Sequence, residues 1–172
     1  MKTIKNILTI IPARGGSKGI PRKNIKLLGQ IPLLAYTILA AKSSKYVNRL
    51  ILSTEDDEIA TIGREWGVQV PFKRPVELST DEARAIDVIK HALIEMERID
   101  EKKYEIIIFL EPPSPFRTPE DIDNCVNLFL DNDPSSVVSV QKANQYHPIL
   151  MKKIEKGILK PIWKNEPECV PR

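Results

Sequence analysis

The sequence predicts an α/β fold with a mainly parallel sheet, and three observations lead to this class. Short β-branched runs alternate with longer stretches of helical periodicity, an order typical of βαβ units with right-handed crossovers. The composition is 42% hydrophobic and 28% charged, which excludes disordered and fibrous proteins. A chain of 172 residues can bury one sizeable core, so two large domains are not expected.

The first βαβ unit is predicted from the pattern of the first 41 residues. Residues 7–11 form a β-branched run that Pro12 ends, as expected of a buried strand. A basic, glycine-rich segment, residues 13–24, follows the strand. Pro32 stands where a helix can begin, and apolar residues then recur at helical spacing over residues 33–41.

The second strand is predicted over residues 49–53 and is followed by four consecutive acids. Such a run resembles a metal cluster, but it fits the start of a helix better. Thr54 is the expected N-cap, and Asp57 lies at the third helical position, where negative charge faces the positive end of the helix dipole. This helix is expected to run to Trp66, and a short strand over residues 68–72 to follow it.

A long third helix and a strong third strand come next. The helix is predicted to start at Thr80 or Asp81 and to run to about residue 98. Residues 104–110 are the clearest strand, because a continuous apolar run is typical of a strand that is covered on both faces. The apolar stripe of the helix consists of Ile86, Ile89, Ala92, Leu93 and Met96.

The last regular elements are a fourth helix and a fourth strand. The helix is expected to start at Thr118 and to reach about residue 130, and residues 137–140 are predicted to form the strand. From residue 144 the periodicity weakens, so residues 144–172 are predicted to be an irregular extension. An irregular β extension and a partner-contact arm are both open interpretations of this segment.

Charge is divided unevenly along the chain. Residues 1–54 hold ten Lys or Arg and no acid, whereas residues 55–172 hold sixteen Lys or Arg and all 23 acids, so the two parts carry +10 and −7. A field of one sign attracts a ligand of the opposite sign, so an anion is expected near the first part. Nucleic acid is the weaker interpretation, because the lysines of residues 152–156 lack interleaved aromatic side chains.

Other classes are disfavoured by features that the sequence lacks. No apolar run approaches the roughly 20 residues of a membrane span, and the run over residues 7–11 is too short for a signal peptide. Cys125 and Cys169 form no C-x-x-C motif, so we expect a reducing cytoplasm and a buried thiol at Cys125. His91 and His147 have no partner at catalytic or metal-ligand spacing, and neither is proposed as catalytic.

The basic segment after the first strand is the main candidate for the anion site. Gly15 and Gly16 let the backbone turn tightly, and the N–H groups of such a turn form a nest for an anion. The spacing matches neither the P-loop nor the dinucleotide-binding motif, and a flexible loop with solvated charges is the alternative. The segment contains four cations and no acid; the cations are Arg14, Lys18, Arg22 and Lys23.

Residues 11–24, which read IPARGGSKGIPRKN, closely resemble the signature loop of the acylneuraminate cytidylyltransferases, the CMP-sialic acid synthetase family. Four later segments resemble the family in the same order; they are residues 32–37, 53–56, 74–81 and 110–118. The resemblance implies a three-layer, Rossmann-like fold and makes residues 1–143 the nucleotide-binding cytidylyltransferase domain. It further implies transfer of CMP from CTP to a nine-carbon 2-keto sugar acid with release of pyrophosphate, assisted by Mg²⁺, in a homodimer.

The resemblance also implies roles for individual residues. Arg74 would read the cytosine, since a guanidinium can address the base carbonyl and ring nitrogen together, although pairing with Glu77 or Asp81 is the structural alternative. The backbone carbonyl of Ala83 would accept a hydrogen bond from the cytosine amino group. Catalytic roles fall to the cations Arg14, Lys18 and Lys23. The other nucleotide-binding positions are Ala13, Gly15, Gly16, Ser17 and Asn24.

Two positions of the loop over residues 111–117 depart from the family pattern. The family glutamine that faces the sugar acid is Glu111 here, and a threonine is replaced by Pro113, while Ser114 keeps a sugar-binding position. Glu111 could be protonated, pair with a cation, bind Mg²⁺ or indicate another acceptor sugar, and it could also merely cap the following turn. These interpretations remain open.

The metal ligands are unknown at this stage. In the family they are aspartates of a C-terminal segment, and no Asp follows Asp133 in this sequence. We therefore expect the chain to lack that segment. A non-catalytic CTP-binding module of the same fold is the alternative function.

Overall fold

A computed structural model of the chain describes residues 6–140, 152–156 and 158–161. The chain divides into two units, residues 1–137 and 138–172. Helices and strands alternate through the first unit, as predicted. The elements are β1 (Ile7–Pro12), β2 (Leu27–Leu28), β3 (Ile31–Pro32), α1 (Leu33–Ser43), β4 (Leu50–Ser53), α2 (Asp57–Glu65), α3 (Ala85–Asp100), β5 (Ile106–Phe109), α4 (Pro119–Asn132), β6 (Lys152–Glu155) and β7 (Ile158–Pro161).

The central sheet has three parallel strands in the order β4-β1-β5. Thr9 of the middle strand faces both Leu50 of β4 and Ile108 of β5. The sheet confirms the α/β class and the mainly parallel pairing. The loops that follow all three strands lie at the carboxyl edge of the sheet. Ligands of parallel α/β sheets bind at this edge. Two antiparallel pairs lie outside this sheet, β2 with β3 and β6 with β7.

The core is built on both faces of the sheet because successive side chains of β1 point to opposite sides. Leu8 and Ile10 pack with Ala92 and Met96 of α3 on one face. Ile11 packs on the other face with residues of α1, α2 and α4. The sheet is thus covered by helices on both sides, which is the three-layer arrangement.

The predicted starts of α4 and α2 have different outcomes. At α4, Thr118 accepts a hydrogen bond from the backbone N–H of Asp121, whose side chain accepts one from the backbone of Thr118 in return, so the predicted start is confirmed. At α2 the N-cap is Asp56, not Thr54, because the Asp56 carboxylate accepts from the backbone N–H of Ile59. Thr54 instead accepts from the backbone N–H of Asp56 at 3.2 Å.

The third helix begins later than predicted. Arg84 is the N-cap residue of α3, so the residues around Asp81 are left in the loop before it. The stripe is also shifted: Ile86 is 47% exposed, while Val88, which the predicted stripe omitted, is buried.

Two predicted strands are wrong. Over residues 68–72 only Gln69 pairs with the sheet, through a single bridge to Ile51. Pro71 has no N–H with which to extend that pairing. Residues 137–140 form no strand, and Val140 is 91% exposed, because β-branched composition stabilises a strand only where a partner strand is present.

Several expectations concern single residues or segments. Cys125 is half-buried and not buried, since Ile122 and Val126 form the inward side of α4. No helix in the described ranges is long and apolar enough to cross a membrane. The predictions for residues 144–151 and 162–172, with His147 and Cys169, lie outside the described residues, and the boundary after residue 143 stays a prediction.

Candidate functional site

A cavity of about 290 Å³ opens at the carboxyl edge of the sheet. It is enclosed by the loop after β1, the segment before α3 and the loop after β5. The loops over residues 12–24 and 111–117 directly follow strands of the sheet, and they meet at one edge because the carboxyl ends of parallel strands lie together. The predicted site residues that line the cavity are Arg14, Ser17, Lys23, Asn24, Arg74, Ala83 and Glu111.

The other predicted site residues lie next to the cavity or away from it. Ala13, the first residue of the basic segment, is buried. The Gly15 N–H donates a hydrogen bond to a carboxylate, and Gly16 is exposed. The Lys18 side chain is 82% exposed, and Ser114 is exposed on its loop.

Asp81 connects the basic loop to the segment before α3. Its carboxylate accepts from Nη2 of Arg14 at 2.5 Å and also pairs with Nζ of Lys18. The hydrogen bond from Lys18 and then that from Arg14 hold the pKa of Asp81 below its ordinary value of 3.8. Two of the cations predicted to bind an anion are therefore already held by a carboxylate of the chain.

Arg22 is not part of the cavity wall. It adopts a left-handed backbone conformation, with φ of 55°, and its guanidinium forms a two-pronged pair with Asp56 at 2.5 and 3.0 Å. Glu58 is a further partner. The segment itself contains no acid, but Arg22 is compensated by Asp56 and Glu58, which come from a distant part of the sequence at the start of α2.

Asn24 and Lys23 complete the basic loop. Asn24 is buried, and its Nδ2 donates to the carbonyl oxygen of Arg14 at 2.9 Å, so the amide joins the two ends of the loop. Lys23 has no acidic partner among the described residues and lines the cavity. Its ammonium group is thus available to an incoming anion.

Arg74 is buried in the wall of the cavity, with only 3% of its side chain exposed. Its Nε donates to Oγ of Ser79 at 2.9 Å, and its Nη2 donates to Oε2 of Glu55 at 2.8 Å. The acid that compensates Arg74 is therefore Glu55, and neither Glu77 nor Asp81. A buried guanidinium needs such a partner, because an unpaired buried charge is strongly destabilising.

Glu55 contacts both Gly15 and Arg74, although its place in the sequence indicated only the start of a helix. Its Oε1 accepts from the backbone N–H of Gly15 at 2.8 Å, while its Oε2 holds Arg74. Burial alone would raise the pKa of Glu55, but hydrogen bonds from the Gly15 backbone, its own backbone and then Arg74 outweigh that effect and keep it below 4.5. A signal existed in the sequence: Glu55 comes just after β4, and the carboxyl ends of adjacent parallel strands lie close together.

Glu111 lines the cavity on the side of the loop after β5 and is exposed. Its backbone carbonyl accepts from Nη2 of Arg117 at 3.1 Å. The Arg117 Nη1 atom is buried and has no hydrogen-bond partner within the described part of the chain. Burial lowers the pKa of Arg117, and the nearby carboxylates of Glu111 and Asp121 offset part of that effect. Glu111 therefore lines the cavity, and its backbone carbonyl holds the loop through Arg117.

Metal-binding groups are not evident in the described part of the chain. No three His, Cys, Asp or Glu side chains cluster there in a way that could hold a metal ion. The carboxylates of Glu55 and Asp81 are both engaged by basic side chains. The described residues therefore do not form a magnesium site by themselves.

Comparisons with known proteins bear on the fold and on the family. A family model described as cytidylyltransferase matches residues 8–163. Over 134 residues the chain is 38% identical to a CMP-N,N'-diacetyllegionaminic acid synthase of Legionella pneumophila, which covers 78% of this chain and 57% of the relative. Over 145 residues it is 39% identical to an N-acylneuraminate cytidylyltransferase of Escherichia coli, covering 84% of this chain and 33% of the relative.

A solved structure has the same fold. The structure is CMP:2-keto-3-deoxy-manno-octonic acid synthetase in complex with CTP, which superposes with a TM-score of 0.61 at 20% identity. The match covers 74% of this chain and 48% of the synthetase. In length, the chain thus spans between one third and three fifths of the relatives that it matches.

Proposed function

The chain belongs to the cytidylyltransferase family, and we propose that its cavity binds CTP and transfers CMP to an acidic 2-keto sugar with release of pyrophosphate. One observation carries this proposal. The cavity places a buried arginine, Arg74, opposite a basic loop that contains Arg14 and Lys23. A nucleotide needs both features, a directional donor for the base and cations for the phosphates.

The basic loop serves the triphosphate in this proposal. Arg14, Lys18 and Lys23 neutralise the phosphates and stabilise the charge that develops on the leaving pyrophosphate, the contribution expected of preorganised cations. The backbone N–H of Gly16 adds a donor, whereas that of Ser17 already donates to the carbonyl oxygen of Gly15 at 3.0 Å. The attacking oxygen of the sugar must lie in line with the α-phosphorus, so the cavity wall contributes chiefly by fixing the two reactants in place.

The base end depends on Arg74 and on the backbone at Ala83. The guanidinium offers donors to the acceptor atoms of cytosine, and the Ala83 carbonyl accepts from the exocyclic amino group. Ala13 supports the loop from below, and Asn24 holds the loop in shape through Arg14. Arg74, Ala83 and Asn24 line the cavity wall, which agrees with these roles.

The acceptor is proposed to be a nine-carbon 2-keto sugar acid of the sialic type. The relatives are named for legionaminic and acylneuraminic acids, which belong to that class. Glu111 and Ser114, on the loop after β5, would face the sugar. A carboxylate at Glu111 favours an acceptor that presents a hydroxyl or a cationic group there, since its charge repels the carboxylate of the sugar.

Magnesium, assembly and location complete the proposal. Mg²⁺ would accompany the nucleotide as the counterion of its phosphates, and the roles assigned to residues above do not depend on it. A homodimer in the cytoplasm is expected, from the family resemblance and from the few cysteines.

The first prediction concerns Lys23. We expect Lys23→Gln to weaken CTP binding about tenfold, because a charge-assisted contact to phosphate is lost. Lys26→Gln is the matched control, since Lys26 is exposed and lies outside the cavity wall. Calorimetric titration with CTP measures both variants, and equal affinities in the wild type and the Lys23 variant would count against the assigned role.

Turnover is tested by detecting pyrophosphate from CTP with a panel of 2-keto sugar acids, with and without Mg²⁺. Release with at least one acid supports the proposed reaction and identifies the acceptor. CTP binding without release would instead favour a non-catalytic CTP-binding module. Absence of CTP binding would refute both functions.

A further inference from the structure

The contacts of Glu55 go beyond those needed for a structural ion pair. One oxygen holds the backbone N–H of Gly15 in the basic loop, and the other holds Nη2 of Arg74. Both distances are 2.8 Å. A single carboxylate therefore connects the part of the cavity that is suited to phosphates with the arginine that is suited to the base.

Two of the three guanidinium nitrogens of Arg74 donate to side chains of the protein. Nε is bound to Ser79, and Nη2 is bound to Glu55. No hydrogen bond of Nη1 is found among the described residues, and Arg74 lines the cavity. Two fixed partners leave one edge of the planar guanidinium to face a ligand, so the orientation of that edge is set by Glu55 and Ser79.

An oriented guanidinium discriminates between pyrimidines. Cytosine offers two adjacent acceptors, its ring nitrogen and its carbonyl oxygen, whereas the same ring nitrogen of uracil carries a hydrogen and would oppose a donor. If the guanidinium could rotate, it would no longer distinguish cytosine from uracil, although its positive charge would still attract a nucleotide.

We propose that Glu55 is a positioning residue that fixes Arg74 for selection of cytosine over uracil while it anchors the phosphate-binding loop at Gly15. The inference rests on the proposed function, because it assumes that a nucleotide occupies the cavity. Glu55 acts through Arg74 and Gly15 and touches no substrate itself. The lowered pKa of Glu55 agrees with this role, because it keeps the carboxylate ionised throughout the neutral range.

Glu55→Gln separates the two contacts. The amide oxygen can still accept from the Gly15 N–H, but the amide nitrogen then faces a donor of Arg74. We expect the ratio of CTP affinity to UTP affinity to fall about tenfold. The affinity for inorganic triphosphate, which has no base, is expected to stay unchanged.

A second Glu55 variant and a control variant are measured together with Glu55→Gln. Glu55→Asp keeps the charge but is one methylene shorter, so it cannot hold both partners, and we expect it to reduce base selectivity as well. Asp57→Asn is the matched control, because Asp57 is a nearby acid that is exposed and pairs only with Lys73 among the described residues. The control is expected to keep the wild-type ratio of CTP to UTP affinity.

Calorimetry of the full-length protein with CTP, UTP and inorganic triphosphate provides the readout, and thermal unfolding shows which variants are folded. A folded Glu55 variant with the wild-type CTP to UTP ratio would overturn the inference, as would a parallel loss for all three ligands. Loss of folding in both Glu55 variants would also overturn it, since Glu55 would then be a requirement of the fold. If the wild type fails to bind CTP, the proposed function itself fails, which is a separate result.

Discussion

The Asp81 carboxylate lies against the cations that are proposed to bind the triphosphate. It pairs with Arg14 and Lys18, and it lines the cavity. Surface ion pairs are weak and are exchanged readily for stronger partners. A triphosphate carries several charges, so it can displace the Asp81 carboxylate and take both cations.

This exchange gives a prediction at the scale of the residue. We expect Asp81→Asn to bind CTP about threefold more tightly, because an internal competitor is removed and its negative charge no longer opposes the phosphates. Asp87→Asn is the matched control, since Asp87 pairs with Arg84 outside the cavity wall. Titration with CTP measures the affinity of both variants. Weaker binding by the Asp81 variant would contradict the prediction, because it would mean that the carboxylate favours nucleotide binding.

The basic loop and the start of α2 pack against each other as elements. Asp56 both caps α2 and pairs with Arg22, so one carboxylate serves the helix and the loop. Hydrogen bonding to Arg22 lowers the pKa of Asp56. The pair lies so close to Gly15 that a Cβ atom there would stand 2.4 Å from Oδ2 of Asp56. The absence of a side chain at Gly15 is thus a packing requirement between the two elements.

Two neighbouring glycines make this requirement testable. Gly15→Ala is expected to lower the free energy of unfolding by about 1–3 kcal/mol, because the added methyl group displaces the Arg22–Asp56 pair. For Gly16→Ala we expect little change or a gain of up to about 1 kcal/mol, since nothing lies within 4 Å of its Cβ position. Urea unfolding compares the two, and equal stabilities would contradict the packing described here.

On the scale of the whole molecule, part of the uneven charge of the sequence is neutralised by ion pairs within the chain. Cations of the first 54 residues reach acids far along the chain, as Arg49 does with Asp100. For Asp100, burial would raise the pKa, but hydrogen bonds from Arg49 and Tyr104 outweigh burial and lower it. Burial and the bond to the Asp100 carboxylate together raise the pKa of Tyr104 to about 12.

These lowered pKa values predict how stability depends on pH. A carboxyl group whose pKa is lower in the folded state stabilises the fold above its unfolded pKa, and that stability is lost as the pH falls through the folded pKa. For Glu55, Asp56 and Asp100, the ordinary values are 4.5, 3.8 and 3.8. We therefore expect constant stability from about pH 7 down to about pH 5 and a progressive loss below about pH 4. Urea unfolding measures the free energy of unfolding across this pH range. A free energy that rises as the pH falls would contradict a stabilising role for these ion pairs.

The sequence by itself determined the class of fold, the order of its main elements and the edge where the site lies. Hydrophobic periodicity reports which residues face a core, and the carboxyl ends of parallel strands must share one edge. It could not determine the start of α3 or the fate of residues 68–72 and 137–140, because those depend on whether a partner strand or helix is within reach.

The partners of the charged residues were decided only by the tertiary structure. From the sequence, Arg22 counted as a phosphate ligand and Glu55 as part of a helix start. In the fold, Arg22 binds Asp56, while Glu55 connects Gly15 to Arg74. Hydrogen bonds and ion pairs act over a few ångströms, and residues 40 positions apart come that close only when adjacent strands align.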